Sequence, residues 1–300
     1  MVIPGTHMDQ WLTRRTVLTA AAATVACTKS RSSEGQGAMS AVNQGRMPVL
    51  FMGHGNPMNA IEDSQWTRSW QALAKTLPTP RAILSVSAHW FVPGTFVTSN
   101  AMPETIHDFG GFPQPLFEVQ YPAKGNPELA TRISKLLASS KAAPREDWGL
   151  DHGTWSVLKH LRPAADVPVL QLSIDRRLGA ADHLTIARQL QPLREEGVLI
   201  LGSGNVTHNL RYAFSSDGKT TPGWAASFDS DVTKAVEQHD AVALTKLHST
   251  EAGVMSHPTP DHYLPLIYAM GAASDADRIT FPTTGFDFGS LSMRSVLFSA

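Results

Sequence analysis

Residues 48–57 read Pro-Val-Leu-Phe-Met-Gly-His-Gly-Asn-Pro, an apolar run that ends in a glycine turn around His54. Short apolar runs of this kind are typical of strands that are buried on both faces of a sheet. Besides residues 48–52, three more runs have the same character, at residues 82–86, 167–172 and 198–201. The sequence therefore predicts four buried strands.

Segments with helical spacing of apolar residues lie between these runs. In the first of them, Asp63 and Ser64 can cap a helix, and one face of that helix is formed by Trp66, Trp70, Leu73 and Leu77. The other segments span residues 127–137, 154–161, 183–193, 225–242 and 263–270. Strands that alternate with helices predict a single α/β domain with a central, mostly parallel or mixed sheet flanked by helices. Residues 278–299 read as extended segments joined by turns, which predicts an antiparallel edge.

The first 28 residues resemble a bacterial twin-arginine export signal. Arg14 and Arg15 precede a small apolar stretch at residues 17–26, which is too short to span a bilayer. This reading predicts export by the twin-arginine machinery to the periplasm and a mature protein without a transmembrane span. Two alternatives are less favoured. The segment could be a disordered basic tail instead of a signal, or the exported protein could carry a lipid anchor at Cys27. Residues 29–46 have the composition of a flexible linker, and the folded domain is predicted to span residues 47–300.

The composition excludes several classes of partner and site. The 25 Lys and Arg residues balance 26 Asp and Glu residues and are scattered along the chain, so no basic stripe favours a nucleic-acid partner. Twelve histidines against one cysteine exclude a disulfide framework and a thiolate zinc cluster. Any bound metal must therefore be held by imidazole and carboxylate groups.

Three of the predicted strands are followed by a turn that presents a histidine, namely His54, His89 and His208. The carboxyl ends of neighbouring parallel strands meet at one edge of a sheet, where active sites form, so we expect these histidines to lie close together. Two further sequences, Asp-His152-Gly and His257-Pro-Thr-Pro-Asp-His262, present imidazoles beside a glycine turn or stiffened prolines. Together these features predict a metal site at the carboxyl ends of the strands.

The spacing leaves the metal and its chemistry open between zinc and non-haem iron(II). Zinc would support a hydrolase or hydratase, whereas iron(II) would bind a chelating substrate together with dioxygen. A non-catalytic metal-binding protein is the third alternative. Of the remaining histidines, His7 lies in the leader, and those on helical segments are expected to face solvent without a functional role: His160, His183, His239 and His248.

Seven motifs, in order from about residue 47 to the end, resemble the class III extradiol ring-cleavage dioxygenases, in particular the bacterial type of the DOPA 4,5-dioxygenase branch. The motifs are Gly-His54-Gly-Asn-Pro, Ser-Ala-His89-Trp, His107-Asp-Phe-Gly-Gly-Phe-Pro113, Tyr121-Pro-Ala, Leu-Asp151-His152-Gly-Thr-Trp-Ser, Gly-Asn205-Val-Thr-His208-Asn-Leu and His257-Pro-Thr-Pro-Asp-His262. The resemblance implies ring opening of a catechol, DOPA-like or other, with insertion of both atoms of O₂ to give a muconic semialdehyde. It implies Fe²⁺ for activity, with Zn²⁺ as an alternative bound metal.

The same resemblance assigns roles to individual residues. It implies that the metal ligands are His54, His89 and His262, and that His208 is the acid/base residue and can approach the metal as a fourth ligand. His152 is implied to act on the substrate side of the pocket. The expected substrate-binding residues are Phe109 and Phe112, as an aromatic wall, and His257, which could also be a ligand or a partner that holds His262.

Overall fold

The structure is a computed structural model that describes residues 45–300. The predicted export signal and all but the last two residues of the predicted linker lie outside these described residues, so both stay predictions. Among the described residues, no helix is long and apolar enough to cross a bilayer.

The described part of the chain contains twelve strands, eleven α-helices and three short 3₁₀ helices. The strands are β1 (Val49–Gly53), β2 (Ala82–Ser87), β3 (Phe91–Val92), β4 (Phe96–Thr98), β5 (Ala143–Arg145), β6 (Val169–Gln171), β7 (Ile174–Asp175), β8 (Val198–Gly204), β9 (Arg278–Thr283), β10 (Phe286–Asp287), β11 (Leu291–Ser292) and β12 (Ser295–Ser299). The α-helices are α1 (Gln65–Ala74), α2 (Gln114–Phe117), α3 (Pro127–Leu136), α4 (His152–Leu161), α5 (Ala180–Arg188), α6 (Pro192–Glu195), α7 (Leu210–Ser215), α8 (Gly223–Glu237), α9 (Ala241–Leu247), α10 (Glu251–Ser256) and α11 (Leu264–Ala272). The 3₁₀ helices span Pro57–Ala60, Ala138–Ser140 and Pro260–His262.

Six strands form the central sheet, in the order β6-β2-β8-β1-β12-β9. The neighbours from β6 to β1 are all parallel, and β12 then pairs antiparallel with both β1 and β9. The prediction of a single α/β domain with a mixed central sheet is therefore confirmed, and so is the antiparallel edge formed by the last segment of the chain.

Both faces of the sheet are covered, which explains why the strands read as continuous apolar runs. In β1, Val49 and Phe51 point into one core cluster, which also contains residues of α5, α8 and α11. Leu50 and Met52 alternate with them and point into a second cluster that contains the tryptophans of α1 and α4. The parallel strands are thereby fixed in register with their carboxyl ends at one edge.

Two predicted helices are interrupted in the structure. The segment predicted at residues 183–193 ends as α5 at Arg188, and α6 begins only at Pro192, whose missing N–H favours the start of a helix rather than its interior. The segment predicted at 225–242 divides into α8 and α9, because His239 takes a positive φ of 53° that a helix cannot accommodate.

The expectation that His183 faces solvent is wrong. Its side chain is fully buried, and its Nδ1 lies 3.0 Å from the hydroxyl of Tyr268 on α11. Helix α5 packs against α11 through this face, so His183 belongs to the interior. His160 is half-buried, with Nε2 2.7 Å from the carbonyl oxygen of Asn59, and is also more enclosed than expected.

Candidate metal centre and active site

Three histidines from distant parts of the chain converge at the carboxyl edge of the sheet. His54 follows β1 directly, His89 lies in the turn after β2, and His262 ends the 3₁₀ helix that precedes α11. One ligand nitrogen from each of the three imidazoles lies within 4.8 Å of the corresponding nitrogens of the other two. The Nε2 atoms of His54 and His89 are 3.3 Å apart.

Strand β8 ends in a glycine, Gly204, at the point where the segment that carries His262 crosses the strand. This glycine allows His262 to reach the carboxyl edge of the sheet. A Cβ atom placed on Gly204 would lie only 2.2 Å from the carbonyl oxygen of His262. The adjacent Asn205 N–H donates to that same carbonyl oxygen at 3.0 Å. A side chain at Gly204 would therefore push His262 away from the other two histidines.

A hydroxyl group sets the orientation of the His54 ring. The Oγ of Ser203 donates its single hydrogen to the carbonyl oxygen of Gly153 at 2.5 Å, so towards His54 it can only accept. His54 Nδ1 lies 3.0 Å from this oxygen and must carry the hydrogen of that bond. The Nε2 of a neutral His54 is consequently an unprotonated lone-pair donor.

Carboxylates orient the other two rings in the same way. Asp108 Oδ2 lies 3.2 Å from Nδ1 of His89, and Asp261 Oδ2 lies 2.5 Å from Nδ1 of His262. Asp261 accepts the Nδ1 hydrogen of His262, and the charge of Asp108 beside His89 favours the hydrogen of that ring on Nδ1, so Nε2 is left free in both rings. Metal-binding histidines in proteins commonly have their second ring nitrogen held in this manner.

The electrostatic environment keeps these three imidazoles neutral. Burial is the largest cause that lowers the pKa of His54, His89 and His262 well below the usual value, and the neighbouring histidines lower it further. Unprotonated nitrogens that face one another at short range repel unless a cation lies between them. The donor set, three neutral imidazoles with no thiolate, fits a zinc or non-haem iron(II) ion.

Asp108 joins two of the histidines and is a functional residue that the sequence analysis missed. Its Oδ1 accepts hydrogen bonds from the backbone N–H of His152 at 2.9 Å and from His152 Nδ1 at 3.0 Å, while Oδ2 faces His89. Burial alone would raise the pKa of Asp108, but the bonds and charges of these histidines outweigh it and lower the pKa to about 2. The His89, Asp108 and His152 group is also close enough to bind a metal, but Oδ1 of its carboxylate already accepts two hydrogen bonds from His152. We therefore assign Asp108 to the support of the centre.

His152 begins α4 and lies against His89, with 3.9 Å between the ring centroids. The preceding residue, Asp151, caps the helix by accepting from the backbone N–H of Thr154 at 3.1 Å. Burial first, and then the charge of Asp108, raise the pKa of Asp151 to about 6. Hydrogen bonds from Ser87 and Gln171 hold this carboxyl group in place, so the start of α4 and the His152 ring have a fixed position.

His208 lies beside the convergent group rather than within it. Its ring is stacked in parallel on His262, with 3.4 Å between centroids and 3° between planes. Its backbone N–H donates to Ser256, but no hydrogen bond from the described residues engages its imidazole nitrogens. Burial, followed by the neighbouring His262 and His257, lowers its pKa well below the usual value. The position suits a neutral base, and a role for His208 as a fourth ligand stays a prediction.

These groups open into a cavity of about 270 Å³. The histidines form its inner end, and the predicted aromatic residues Phe109 and Phe112 line one wall with 5.4 Å between their ring centroids. Both phenylalanines also pack against the second core cluster. The outer end is formed by Leu210, Phe214 and Phe288, which sequence reasoning did not identify.

His257 does not line this cavity. Its Nε2 donates to the carbonyl oxygen of Val206 at 2.6 Å, and its ring packs against Phe228 and Tyr263. The structure therefore does not bring His257 to the predicted substrate contact, because this bond holds the ring in the core behind the site. The group that holds His262 is the adjacent carboxylate of Asp261.

Comparison with known proteins places this site in a family. The model of the catalytic LigB subunit of aromatic ring-opening dioxygenase matches residues 48–298. The chain belongs to this family. It is accordingly an aromatic ring-cleavage dioxygenase, as the resemblance of the seven motifs implied.

Individual proteins also match over most of the chain. A protein of Escherichia coli K12 named 4,5-DOPA dioxygenase extradiol is 50% identical over 259 residues, which cover 84% of this chain and 94% of that protein. A protein of the same name from Beta vulgaris is 37% identical over 260 residues, which cover 84% and 96% of the two chains. The crystal structure of an uncharacterized protein of Escherichia coli K12 has a TM-score of 0.73 and 44% identity, and the match covers 84% of this chain and 99% of that one. These similarities support extradiol cleavage.

Proposed function

We propose that the substrate of this extradiol dioxygenase is a catechol, that His54, His89 and His262 hold a non-haem iron(II), and that the product is a muconic semialdehyde. The observation that carries the proposal is the convergence of three neutral imidazoles, each with Nδ1 engaged, at the inner end of an aromatic cavity. When bound there, iron(II) supplies a positive charge that favours a deprotonated diol and a redox-active centre for dioxygen.

His208 is proposed to be the proton acceptor. A catechol bound next to the histidines must lose a hydroxyl proton, and a general base must lie within hydrogen-bonding reach of it. The His208 imidazole lines the cavity, is neutral at pH 7 and has nitrogens that no described residue engages. One of its ring nitrogens can therefore take the substrate proton and later return it to the opened product.

His152 is proposed to position the diol. Its Nδ1 hydrogen is donated to Asp108, so Nε2 is the nitrogen left to bond a substrate hydroxyl. Because Asp108 also orients His89, one carboxylate fixes a metal ligand and a substrate-binding group relative to each other. The wall formed by Phe109 and Phe112 is expected to contact the ring of the substrate and exclude water from that side.

The proposal is tested by anaerobic loading of the metal-free protein with iron(II), followed by oxygen-electrode assays on a panel of catechols that includes DOPA. We expect one O₂ consumed per catechol, with the yellow absorbance of a semialdehyde.

His54→Ala should abolish bound iron and turnover, whereas the matched control His239→Asn should change neither, because His239 lies outside the centre and asparagine tolerates its positive φ. The zinc-loaded protein should be inactive, since zinc has no accessible redox change. No oxygen uptake with any catechol would overturn the proposal.

We also propose that the chain is exported by the twin-arginine route, on the basis of Arg14, Arg15 and the short apolar stretch that follows them. Replacing both arginines by lysine should retain the protein in the cytoplasmic fraction, whereas Arg31→Lys should not. Equal periplasmic amounts of the double variant and the wild type would contradict this proposal.

A further inference from the structure

A groove of about 700 Å³ adjoins the cavity of the candidate active site. The cavity and the groove share three lining residues, His208, Leu210 and His262. One wall of the groove is formed by the start of α7, and the other by the end of α10 and residues 258–261. Because Leu210 borders both spaces and is 41% exposed, a substituent that leaves the cavity past this residue enters the groove.

Hydrogen bonds join the two walls of the groove. The backbone N–H of His208 donates to the carbonyl oxygen of Ser256 at 2.9 Å. The side-chain amide of Asn209 donates to the carbonyl oxygen of Met255 at 2.7 Å, and its oxygen caps α7 by accepting from the N–H of Tyr212 at 3.0 Å. The fold thereby sets the shape of the groove, and a preformed site lowers the cost of ordering on binding.

Arg211 is the cationic side chain on this path. Among the described residues that line the cavity or the groove, it alone is a lysine or arginine. Its side chain is exposed and forms no ion pair with another described residue. The N–H groups in the first turn of a helix already carry partial positive charge, so helix stability does not favour a cation there. The charge of Arg211 is therefore available to bind an anion.

The position of Arg211 allows it to reach a substrate. It follows Leu210 directly, and consecutive Cα atoms lie about 3.8 Å apart. A guanidinium on its flexible stem can therefore approach a group that projects past Leu210, and its planar fork of N–H groups matches a carboxylate. The carboxylate that lines the same groove, Asp261, is bonded to Nδ1 of His262. An anionic group in the groove is thus favoured next to Arg211 and disfavoured next to Asp261.

We infer that the groove is the subsite for a carboxylate-bearing substituent of the catechol, and that Arg211 binds this carboxylate. The inference rests on the proposed function, because the diol must occupy the inner, histidine-lined end of the cavity. The preferred substrates then carry a carboxylate on a short side chain, a class that includes DOPA. Because Arg211 is exposed, the carboxylate keeps part of its water, and the ion pair contributes a modest selectivity rather than an absolute requirement.

The test compares two ligands of one shape and different charge, 3-(3,4-dihydroxyphenyl)propanoate and 4-propylcatechol. Their Kd values are measured by calorimetry on the zinc-loaded protein, so the result does not depend on turnover. Arg211→Gln should lower the affinity for the propanoate relative to 4-propylcatechol about fivefold, which is the size expected of an exposed charge pair. Raising NaCl from about 20 mM to about 500 mM should move the wild-type ratio towards that of the variant, because salt screens exposed charges.

Two further variants control the comparison. Arg211→Lys should retain part of the preference for the propanoate, since the ammonium keeps the charge but loses the planar fork. Arg176→Gln replaces another exposed arginine, which lines neither the cavity nor the groove, and should leave the ratio unchanged. A ratio that is the same in Arg211→Gln and the wild type would overturn the inference. So would an equal weakening of both ligands, which would mean that the substitution only disturbs α7.

Failure of this inference differs from failure of the proposed function. If the iron-loaded protein cleaves no catechol, the proposed function fails, while the Kd ratio on the zinc-loaded protein still decides the role of Arg211. If catechols are cleaved but Arg211→Gln leaves the ratio unchanged, the proposed function stands and the subsite at Arg211 is wrong.

Discussion

Replacement of Asp108 by asparagine should weaken metal binding through a single ligand, His89. Two donors, the backbone N–H and Nδ1 of His152, converge on Oδ1 at 2.9 and 3.0 Å, so the amide oxygen of the asparagine should remain at that position. The amide NH₂ then occupies the place of Oδ2, 3.2 Å from Nδ1 of His89. Two donors cannot bond each other, so His89 must turn away or move its hydrogen to Nε2, where it blocks the metal.

The size of this effect follows from the surroundings of the carboxylate. They lower the pKa of Asp108 from 3.8 to about 2, which corresponds to a preference of roughly 2 kcal/mol for the charged form. Loss of a supporting contact to a metal-binding histidine typically weakens metal affinity about 10- to 100-fold, or about 1.4 to 2.7 kcal/mol. The expected rise in the Kd for the metal therefore corresponds to a free energy of the same size as the stabilisation of the charged Asp108 carboxylate.

The assay is competition for Zn²⁺ between the metal-free protein and a chromogenic chelator, with circular dichroism to establish that the variant is folded. Asp63→Asn is the control, because Asp63 forms an exposed ion pair with Arg68 and should leave Kd unchanged. A folded Asp108→Asn protein whose Kd for Zn²⁺ lies within about twofold of the wild type would refute the assigned role of the carboxylate.

His208→Asn should keep Zn²⁺ affinity within about threefold but lower kcat at least about 100-fold through loss of the base, and loss of metal instead would make His208 a ligand. Burial lowers the pKa of His183 to about 4 in the folded protein, whereas a histidine in the unfolded chain is protonated below about pH 6.5. Between these two pH values protonation therefore stabilises only the unfolded chain. About 3 kcal/mol of unfolding free energy that is present above pH 6.5 is lost as the pH falls to 4. Urea unfolding of His183→Asn should show a correspondingly flatter pH dependence, and an unchanged one would contradict the assignment. Arg194→Met removes one of the two arginines that pair with the buried Asp277 and leaves Arg46 as the other, so it should cost about 2–3 kcal/mol of unfolding free energy, whereas Arg68→Met should cost less than about 1 kcal/mol.

The residues that the sequence located well are those whose position depends on local structure. His54 and His89 each follow a strand whose apolar run is evident, and the carboxyl ends of parallel strands must share an edge. Ser64 likewise caps α1, where its side chain accepts from the N–H of Thr67 as the capping pattern predicts. In such cases a few residues that are neighbours in the sequence determine where the side chain lies.

The residues that the sequence did not locate depend on contacts between distant segments. Asp108 lies in a loop, where most carboxylates face solvent, and its partner His152 is 44 positions away. His183 lies on the buried face of α5 with Ala180, Leu184 and Ala187, but a histidine does not itself indicate burial, and the hydroxyl of Tyr268 on α11 provides the polar partner that allows it. His257 and His262 share one motif, and the close approach of Gly204 to His262 decides which of them reaches the cavity.

The stacked pair of His208 and His262 explains how one imidazole can serve as a base beside a metal centre. Parallel rings 3.4 Å apart leave no room for water between them, so a proton on His208 would place a positive charge directly against a ring whose Nε2 would face the proposed metal. Burial and the adjacent His262 and His257 lower the pKa of His208 for the same reason. A proton taken from the substrate is therefore held only weakly. In the proposed reaction, His208 would therefore return the proton to the opened ring rather than retain it, and Asp261, which holds the other side of His262, would keep the two rings aligned.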